Sequence, residues 1–387
     1  MKTISITGYS SISALGSDVD EVWGAYAIEN HFLEQITYDN VSGLVSRLPT
    51  HLDQAIHSLK HSHQKYQVLD KTVLMAIYAA RKALKNARWD KNATFGVNIG
   101  SSRGATQLFE QFYDDFSTNH KSRVSPLTSP TTTLGNLSTW VADDLQSSGP
   151  VITHSITCST GLHAVLNAVA WINSGMSEKF MVGATEAPNT AFTIAQMQSL
   201  KIYSDHQLEY PCRALDLEKS KNSMCLGEGA AIFCLEQGVK SNALALIDSI
   251  GYGTEKLTHN VSVTQDAKCF QDSMHMALSY IDEDVDVIVM HAPGTIKGDS
   301  SEMRAIEKVF GSNIPAVTSN KWKIGHTLGA SGSLSMELAI LMLEKQEFIG
   351  IPYLKNLKAP EKIERIMVNA VGFGGNAVSV VLKRNTI

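Results

Sequence analysis

The chain has 387 residues, of which 43% are hydrophobic and 18% charged, so it contains enough apolar material for a large packed core. Its formal net charge of -5 argues against non-specific nucleic-acid binding, which needs a dominant basic surface. No apolar run reaches the roughly eighteen residues that a membrane span needs, and Met1 to Gly8 has no charged leader, which together predict a cytoplasmic location. The five cysteines lack CxxC or metal-type spacing, so we expect reduced thiols and no metal site.

Strand-like and helix-like patterns alternate along the chain, which predicts an α/β fold with largely buried strands. The predicted strands are 4–8, 95–99, 151–157, 180–183, 230–235, 287–290, 366–369 and 378–382. The predicted helices are 70–87, 162–174, 300–310 and 333–344. A Gly-rich turn precedes a strand at 227–230 and again at 372–375, so we expect two similar halves, residues 1–240 and 241–387.

Cys158 lies where the apolar run 151–157 ends and the helical pattern 162–174 begins. A cysteine at a helix N-terminus is close to unsatisfied backbone N–H groups, which favour the thiolate and can hold an oxyanion. Taken alone, a buried structural cysteine is an equally good interpretation. Gly161 and the small residues Ser159 and Thr160 favour a nucleophile, because a large side chain there would obstruct a ligand.

Further motifs follow in a fixed order, and with Cys158 they resemble the β-ketoacyl-acyl carrier protein synthases of the thiolase superfamily. The matching segments are Thr7-Gly8 with Ser13 and Gly16, Gly149-Pro150, Gly183-Ala184-Thr185-Glu186-Ala187, Cys212-Arg213 with Asp216, Gly227-Glu228-Gly229-Ala230, Lys321 with Gly325-His326-Thr327-Leu328-Gly329-Ala330, and Gly372-Phe373-Gly374-Gly375. The resemblance extends over nearly the whole length. It implies a thiolase-like fold, in which two similar halves form a five-layered αβαβα arrangement, the first half carrying the nucleophilic cysteine and the second carrying two histidines.

The first histidine of the family has two possible counterparts in the segment His291-Ala292-Pro293-Gly294-Thr295. A literal match of Gly294-Thr295 to the family's His-Gly-Thr motif puts Pro293 at the histidine position. A gap-free match instead keeps Asp286, Asp299 and Glu302 in register and puts His291 there, with Ala292-Pro293 replacing the usual Gly-Thr. We favour His291.

The resemblance assigns the second histidine to His326, which Lys321 would orient or polarise. Two neutral imidazoles could donate N–H bonds to one thioester carbonyl and so stabilise an enolate. Phe373 matches the family's gating phenylalanine, and its N–H would complete the oxyanion hole with that of Cys158. We expect Thr295, Gly372 and Gly374 to contact the substrate. Ser335 stands where the family has the glutamate that supports the lysine, and Glu337 follows two residues later, which puts the Lys321 ion pair in doubt.

The resemblance implies a decarboxylative condensation of a malonyl-carrier with a Cys158-bound acyl group, in fatty acid or type II polyketide or polyene synthesis. It needs no metal or other cofactor, because its substrates are carried on the phosphopantetheine of acyl carrier protein. It also implies a homodimer.

Four alternatives stay open. A proline at the first histidine position would make the protein a non-elongating acyltransferase, and the chain could instead be the active half of a heterodimer with a chain-length-factor subunit. Degradative thiolase activity and a non-catalytic carrier-binding scaffold are the other two.

Overall fold

The computed structural model describes residues 2–38, 40–90, 93–118, 123–205, 207–256, 263–355 and 357–386. Its strands are β1 Ile4–Ser13, β2 Glu34–Tyr38, β3 Val41–Ser46, β4 Gly96–Gly100, β5 Val151–Ile152, β6 Lys179–Glu186, β7 Leu226–Gly227, β8 Gly229–Gln237, β9 Ala245–Thr254, β10 Val287–Val289, β11 Ala316–Thr318, β12 Arg365–Gly372 and β13 Asn376–Lys383. Its α-helices are α1 Val19–Ala27, α2 Thr50–Ser62, α3 Lys71–Ala87, α4 Thr106–Thr118, α5 Thr128–Thr132, α6 Asn136–Leu145, α7 Thr160–Ser174, α8 Ala191–Ser199, α9 Lys268–Leu278, α10 Ile296–Phe310, α11 Lys321–Ile324 and α12 Ser331–Lys345.

Two five-stranded sheets repeat one topology. The first has the order β1-β8-β6-β4-β5 and the second, read from its first strand in the chain, β9-β13-β12-β10-β11. In each sheet the first two pairings are antiparallel and the last two are parallel. The predicted boundary after residue 240 lies in the connection between β8 and β9.

Helices α7 and α12 lie between the two sheets and share one hydrophobic core with their inner faces. Thirteen of the fifteen residues of α12 are buried, as expected for a helix enclosed on all sides. Helices α2, α3 and α6 cover the outer face of the first sheet, and α9 and α10 cover that of the second. This five-layered arrangement confirms the predicted α/β, thiolase-like fold.

Helix α3 shows how local sequence positions the outer layer. Asp70 caps its N-terminus by accepting a hydrogen bond from Thr72 N at 2.8 Å, and Arg88 ends it in the left-handed conformation. An alanine-rich face of the helix approaches β1 so closely that a Cβ atom on Gly8 would lie 2.4 Å from the backbone nitrogen of Ala87. The glycine is therefore required by helix-sheet packing.

Most of the predicted strands and helices form close to their predicted positions, but the strand predicted over 151–157 pairs only at Val151–Ile152. After Ile152 the chain leaves the ladder, although His154 O still accepts from Ser101 N at 3.4 Å, and Thr157, with a left-handed φ of 46°, turns the chain toward α7. Among the described residues, no helix has the length and apolarity needed to cross a bilayer. Within those same ranges, no cluster of His, Cys, Asp or Glu side chains is arranged to hold a metal ion.

We predict that Gly8→Ala lowers the free energy of unfolding by about 1–3 kcal/mol, because the new methyl group overlaps the backbone of α3. The matched control is Gly24→Ala in α1, where a Cβ atom meets nothing within 4 Å and the helix gains about 0.5–1 kcal/mol. Urea unfolding followed by circular dichroism measures both variants. Equal midpoints for the two would contradict the packing argument.

Candidate active site

Cys158 lies in the tight turn that connects β5 to α7. The Thr160 hydroxyl closes this turn, because it donates to Thr157 O at 2.6 Å and accepts from Ile156 N at 2.9 Å. Helix α7 begins two residues after Cys158, so the thiol is next to the helix N-terminus as predicted.

Gly161 has a different role from the expected one. A Cβ atom there would lie 2.3 Å from the Ser333 hydroxyl of α12, so the glycine permits α7 and α12 to approach each other. It does not line the cavity.

Two buried carboxylates of α10 hold the loop that carries His291. Glu302 accepts the backbone N–H groups of His291 and Ala292, each at 2.9 Å. Asp299 accepts Gly294 N at 3.0 Å and pairs with Lys219 Nζ at 2.7 Å. Ala292 adopts a left-handed backbone, with φ of 27°, at a position where a glycine would be unstrained. The loop conformation therefore depends on these carboxylates.

His326 lies in the turn between α11 and α12. The backbone N–H of His326 donates to Cys225 O at 2.7 Å, and the backbone carbonyl of His326 accepts from Gly227 N at 3.1 Å. Gly325 has a φ of 66°, which a glycine adopts without strain. The short segment around β7 thus fixes the backbone of His326.

These elements converge on one cavity of about 460 Å³. The imidazole centroids of His291 and His326 are 5.2 Å apart, with the rings edge to face at 82°. Cys158, both histidines, Thr295, Gly372 and Phe373 line the cavity, as does Pro293. The structure therefore brings together most of the predicted site residues, whereas Lys321 and Gly374 lie outside the lining.

Phe373 occupies the turn between β12 and β13 and is 40% exposed. A Cβ atom on Gly372 would lie 1.8 Å from the Thr157 hydroxyl, so this glycine allows the turn to contact the segment before Cys158. Gly374 has a φ of 99°, which glycine adopts without strain, and so allows the chain to turn from β12 to β13. Phe373 lines the cavity, and its carbonyl accepts from the Thr157 hydroxyl at 3.5 Å in the segment before Cys158.

Burial keeps both imidazoles neutral. It lowers the pKa of His326 to about 3, with the positive charge of Lys321 contributing. Burial, His326 and Lys321 together place the pKa of His291 well below its usual value of 6.5. Both rings are thus available as N–H donors at neutral pH, as the sequence analysis requires.

Cys158 is a thiol at rest, not the thiolate expected from its position at a helix N-terminus. Burial, assisted by the Glu186 carboxylate and opposed by Lys321, raises the pKa of Cys158 to about 12. A helix N-terminus contributes at most about 2 kcal/mol, which lowers a pKa by about 1.5. The burial effect is the larger of the two.

Lys321 is 1% exposed, and its ammonium group has no hydrogen-bond partner in the described part of the chain. Burial lowers its pKa to about 8, against the attraction of Glu302. Ser335 instead contacts Asn320 Oδ1 at 3.4 Å, and Glu337 hydrogen-bonds to Ser11. Because positions two apart on a helix face opposite sides, Glu337 cannot replace the carboxylate missing at 335.

Glu186, Asp299 and Glu302 match family motifs in the sequence, but no local pattern predicted what these carboxylates bind. Each is fully buried and accepts backbone N–H groups from loops around the cavity. An acidic residue at the end of an apolar strand, as Glu186 is at the end of β6, is the signal that could have identified one of them.

We predict that iodoacetamide alkylates Cys158 faster than the other four thiols, because Cys158 alone among the cysteines lines the cavity and the others are fully buried. The rate should rise about tenfold per pH unit from pH 7 to 10, since the thiolate fraction increases in this way below the pKa. Peptide mass spectrometry over time measures each site. A rate independent of pH in this range would contradict the assignment of a resting thiol.

The chain matches two family models, Beta-ketoacyl synthase, N-terminal domain, over residues 1–240 and Beta-ketoacyl synthase, C-terminal domain, over residues 244–352. It is 28% identical over 408 residues to 3-oxoacyl-[acyl-carrier-protein] synthase 2 of Coxiella burnetii (strain RSA 493 / Nine Mile phase I), covering 99% of each protein. The fold matches the ishigamide ketosynthase/chain length factor with a TM-score of 0.86 at 19% identity, covering 99% of each chain. It also matches a type II PKS ketosynthase in complex with its acyl-carrier protein (AntDE:AntF), with a TM-score of 0.84 at 20% identity over 99% of this chain and 100% of that one. The chain therefore belongs to the beta-ketoacyl synthase family.

Proposed function

We propose that the protein is a 3-oxoacyl-acyl carrier protein synthase that condenses malonyl-carrier with an acyl group held on Cys158. The observation that carries this proposal is the convergence of one thiol and two neutral imidazoles in a single buried cavity. A nucleophile beside two N–H donors is what acyl transfer followed by enolate formation requires.

In the first half-reaction, the sulfur of Cys158 attacks the thioester carbonyl of an acyl-carrier. The carbon–sulfur bond to the carrier breaks, and the thiol proton ends on the departing phosphopantetheine sulfur. The N–H groups of Cys158 and Phe373 hold the oxyanion formed during the attack. Because the resting group is a thiol, this proton transfer is part of the acylation step.

In the second half-reaction, His291 and His326 donate to the thioester carbonyl of malonyl-carrier. The carbon–carbon bond to the carboxylate breaks, CO₂ leaves, and its electron pair forms the enolate that the two imidazoles stabilise. The enolate carbon attacks the acyl carbonyl on Cys158, the cysteine leaves as a thiolate and then takes up one proton. Release of CO₂ drives the condensation, so no metal or other cofactor enters the proposal. Lys321 orients His326 electrostatically, and Thr295 and Gly372 line the cavity that would hold the substrate. Gly374 shapes the turn that carries Phe373.

We propose acyl carrier protein as the partner and a homodimer as the assembly. The names of the relatives support a carrier substrate, because the Coxiella burnetii protein is named as a 3-oxoacyl-[acyl-carrier-protein] synthase and one structural neighbour is a ketosynthase in complex with its acyl-carrier protein. Exposed apolar side chains support a dimer: Phe109 and Tyr113 of α4 are 59% and 65% exposed, and Val151 of the edge strand β5 is also exposed. Five free thiols fit a reducing, cytoplasmic compartment.

A second candidate is acyl transfer without decarboxylation, favoured by Pro293, which lines the cavity next to His291. Release of labelled CO₂ from malonyl-carrier separates the two reactions.

A third possibility concerns the assembly: an active subunit paired with a chain-length factor is favoured by the likeness to a ketosynthase/chain length factor pair. Native mass spectrometry of the complex isolated from the producing cell distinguishes it from a homodimer.

We predict that Cys158→Ala abolishes elongation, because no acyl-enzyme can form. His291→Ala and His326→Ala should each lower CO₂ release by about 10²–10³, the usual cost of removing one oxyanion donor. Both histidine variants should still acquire an acyl group on Cys158, detected by intact-protein mass spectrometry.

His275→Ala is the matched control, because its side chain is exposed on α9. It should retain normal rates. Continued elongation by Cys158→Ala would exclude the condensation mechanism. Acyl loading without elongation in the wild-type protein would favour the second candidate, and absence of acyl loading would favour a carrier scaffold.

A further inference from the structure

Glu186 is a fully buried carboxylate at the end of β6 that the reaction above does not use. Its Oε1 accepts from the Ser101 hydroxyl at 2.8 Å and from Arg103 N at 3.0 Å. Its Oε2 accepts from Ser102 N at 2.8 Å and from Gly329 N at 2.9 Å. Four short bonds to one carboxylate compensate for much of the cost of burying its charge.

One of these bonds reaches the turn that carries the second histidine. Gly329 lies three residues after His326, in the short 3₁₀ turn Leu328–Ala330 that leads into α12. A Cβ atom on Gly329 would lie 2.6 Å from Ser102 N and 2.8 Å from Glu186 Oε2. The glycine therefore allows the histidine turn to contact both the carboxylate and the 101–103 loop.

The remaining bonds fix the loop 101–103, which contacts two other sides of the cavity. Ser102 O accepts from the Ser155 hydroxyl at 3.1 Å, in the segment before Cys158. The Arg103 guanidinium donates to Gln196 Oε1 at 2.6 Å on α8, next to Met197, which lines the cavity. A single carboxylate thus links the cysteine segment, the histidine turn and one cavity wall.

Glu186 also acts on Cys158 through its charge. After burial, its carboxylate is the largest influence raising the pKa of the thiol. Burial raises the pKa of Glu186 itself to about 7, although its four hydrogen-bond donors favour the charged form. Loss of this charge would make the Cys158 thiolate easier to form.

We propose that Glu186 is a positioning residue for the condensation, which joins the His326 turn and the 101–103 loop into one unit beside the segment that leads to Cys158. The proposal deepens the proposed function and rests on it. In Glu186→Gln, the amide nitrogen cannot accept a hydrogen bond from a backbone N–H. The bond to Arg103 N is lost if the nitrogen replaces Oε1, and the bonds to Ser102 N and Gly329 N are lost if it replaces Oε2.

The test measures two quantities that should change in opposite directions in Glu186→Gln. We expect kcat for condensation to fall by about 10- to 100-fold, because small displacements of catalytic groups are costly. At a fixed pH of 8, alkylation of Cys158 by iodoacetamide should become about three to ten times faster, because the negative charge has been removed. A role confined to structural support would not accelerate alkylation.

Two further variants keep the test decisive. Glu186→Asp retains the charge but shortens the reach, so kcat should fall while the pH profile of alkylation stays at its wild-type position, even if Glu186→Gln does not fold. Glu337→Gln makes the same chemical change in a buried carboxyl that bonds Ser11, and it should leave the alkylation profile unchanged. Thermal melting monitored by circular dichroism confirms folding of each variant.

Unchanged or slower alkylation in a folded Glu186→Gln variant would overturn the charge role, and a normal kcat would overturn the positioning role. A shifted alkylation profile in Glu186→Asp would also count against the proposal. The alkylation measurement needs no condensation activity. If the wild-type protein does not elongate, the proposed function fails while the effect of Glu186 on Cys158 is still measured.

Discussion

The arrangement of the cavity depends on buried carboxylates that accept backbone N–H groups. Glu302 holds His291 and Ala292, Asp299 holds Gly294, and Glu186 holds Gly329 after His326. Such bonds are stronger than neutral ones and are made in a site from which water is excluded. They allow loops with left-handed residues such as Ala292 to keep one conformation, and so place two imidazoles from separate loops next to each other.

The repeated topology explains why these loops meet. Strand β5 leads to Cys158 in one half, and its counterpart β11 leads to His326 in the other. Likewise β4 is followed by the 101–103 loop, whereas its counterpart β10 is followed by His291. Since parallel strands direct their carboxyl ends to one edge, the Cys158, His291 and His326 loops reach one cavity, and the 101–103 loop contacts the segment before Cys158. Helices α7 and α12 pack closely at Gly161 and so hold the two halves against each other.

Desolvation determines the protonation states in this cavity. The same burial that keeps both histidines neutral also keeps Cys158 a thiol and lowers the pKa of Lys321 to about 8. Neutral rings donate hydrogen bonds without a positive charge. Such a charge would stabilise the malonyl carboxylate, which must leave as CO₂ in the proposed reaction. Since Ser335 provides no carboxylate, the buried ammonium group of Lys321 has no hydrogen-bond partner among the described residues.

The order of local patterns in the sequence was enough to predict the α/β fold, the place of Cys158 between a strand and a helix, and the motifs around His291 and His326. These features depend on neighbours along the chain, which periodicity and turn residues report directly. The tertiary structure decided the rest. The resting thiol follows from burial by distant segments, and the unpaired Lys321 follows from the helical phase of Ser335 and Glu337 on α12. The role of Glu186 follows from residues up to 143 positions away in the chain, and no local pattern encodes such contacts.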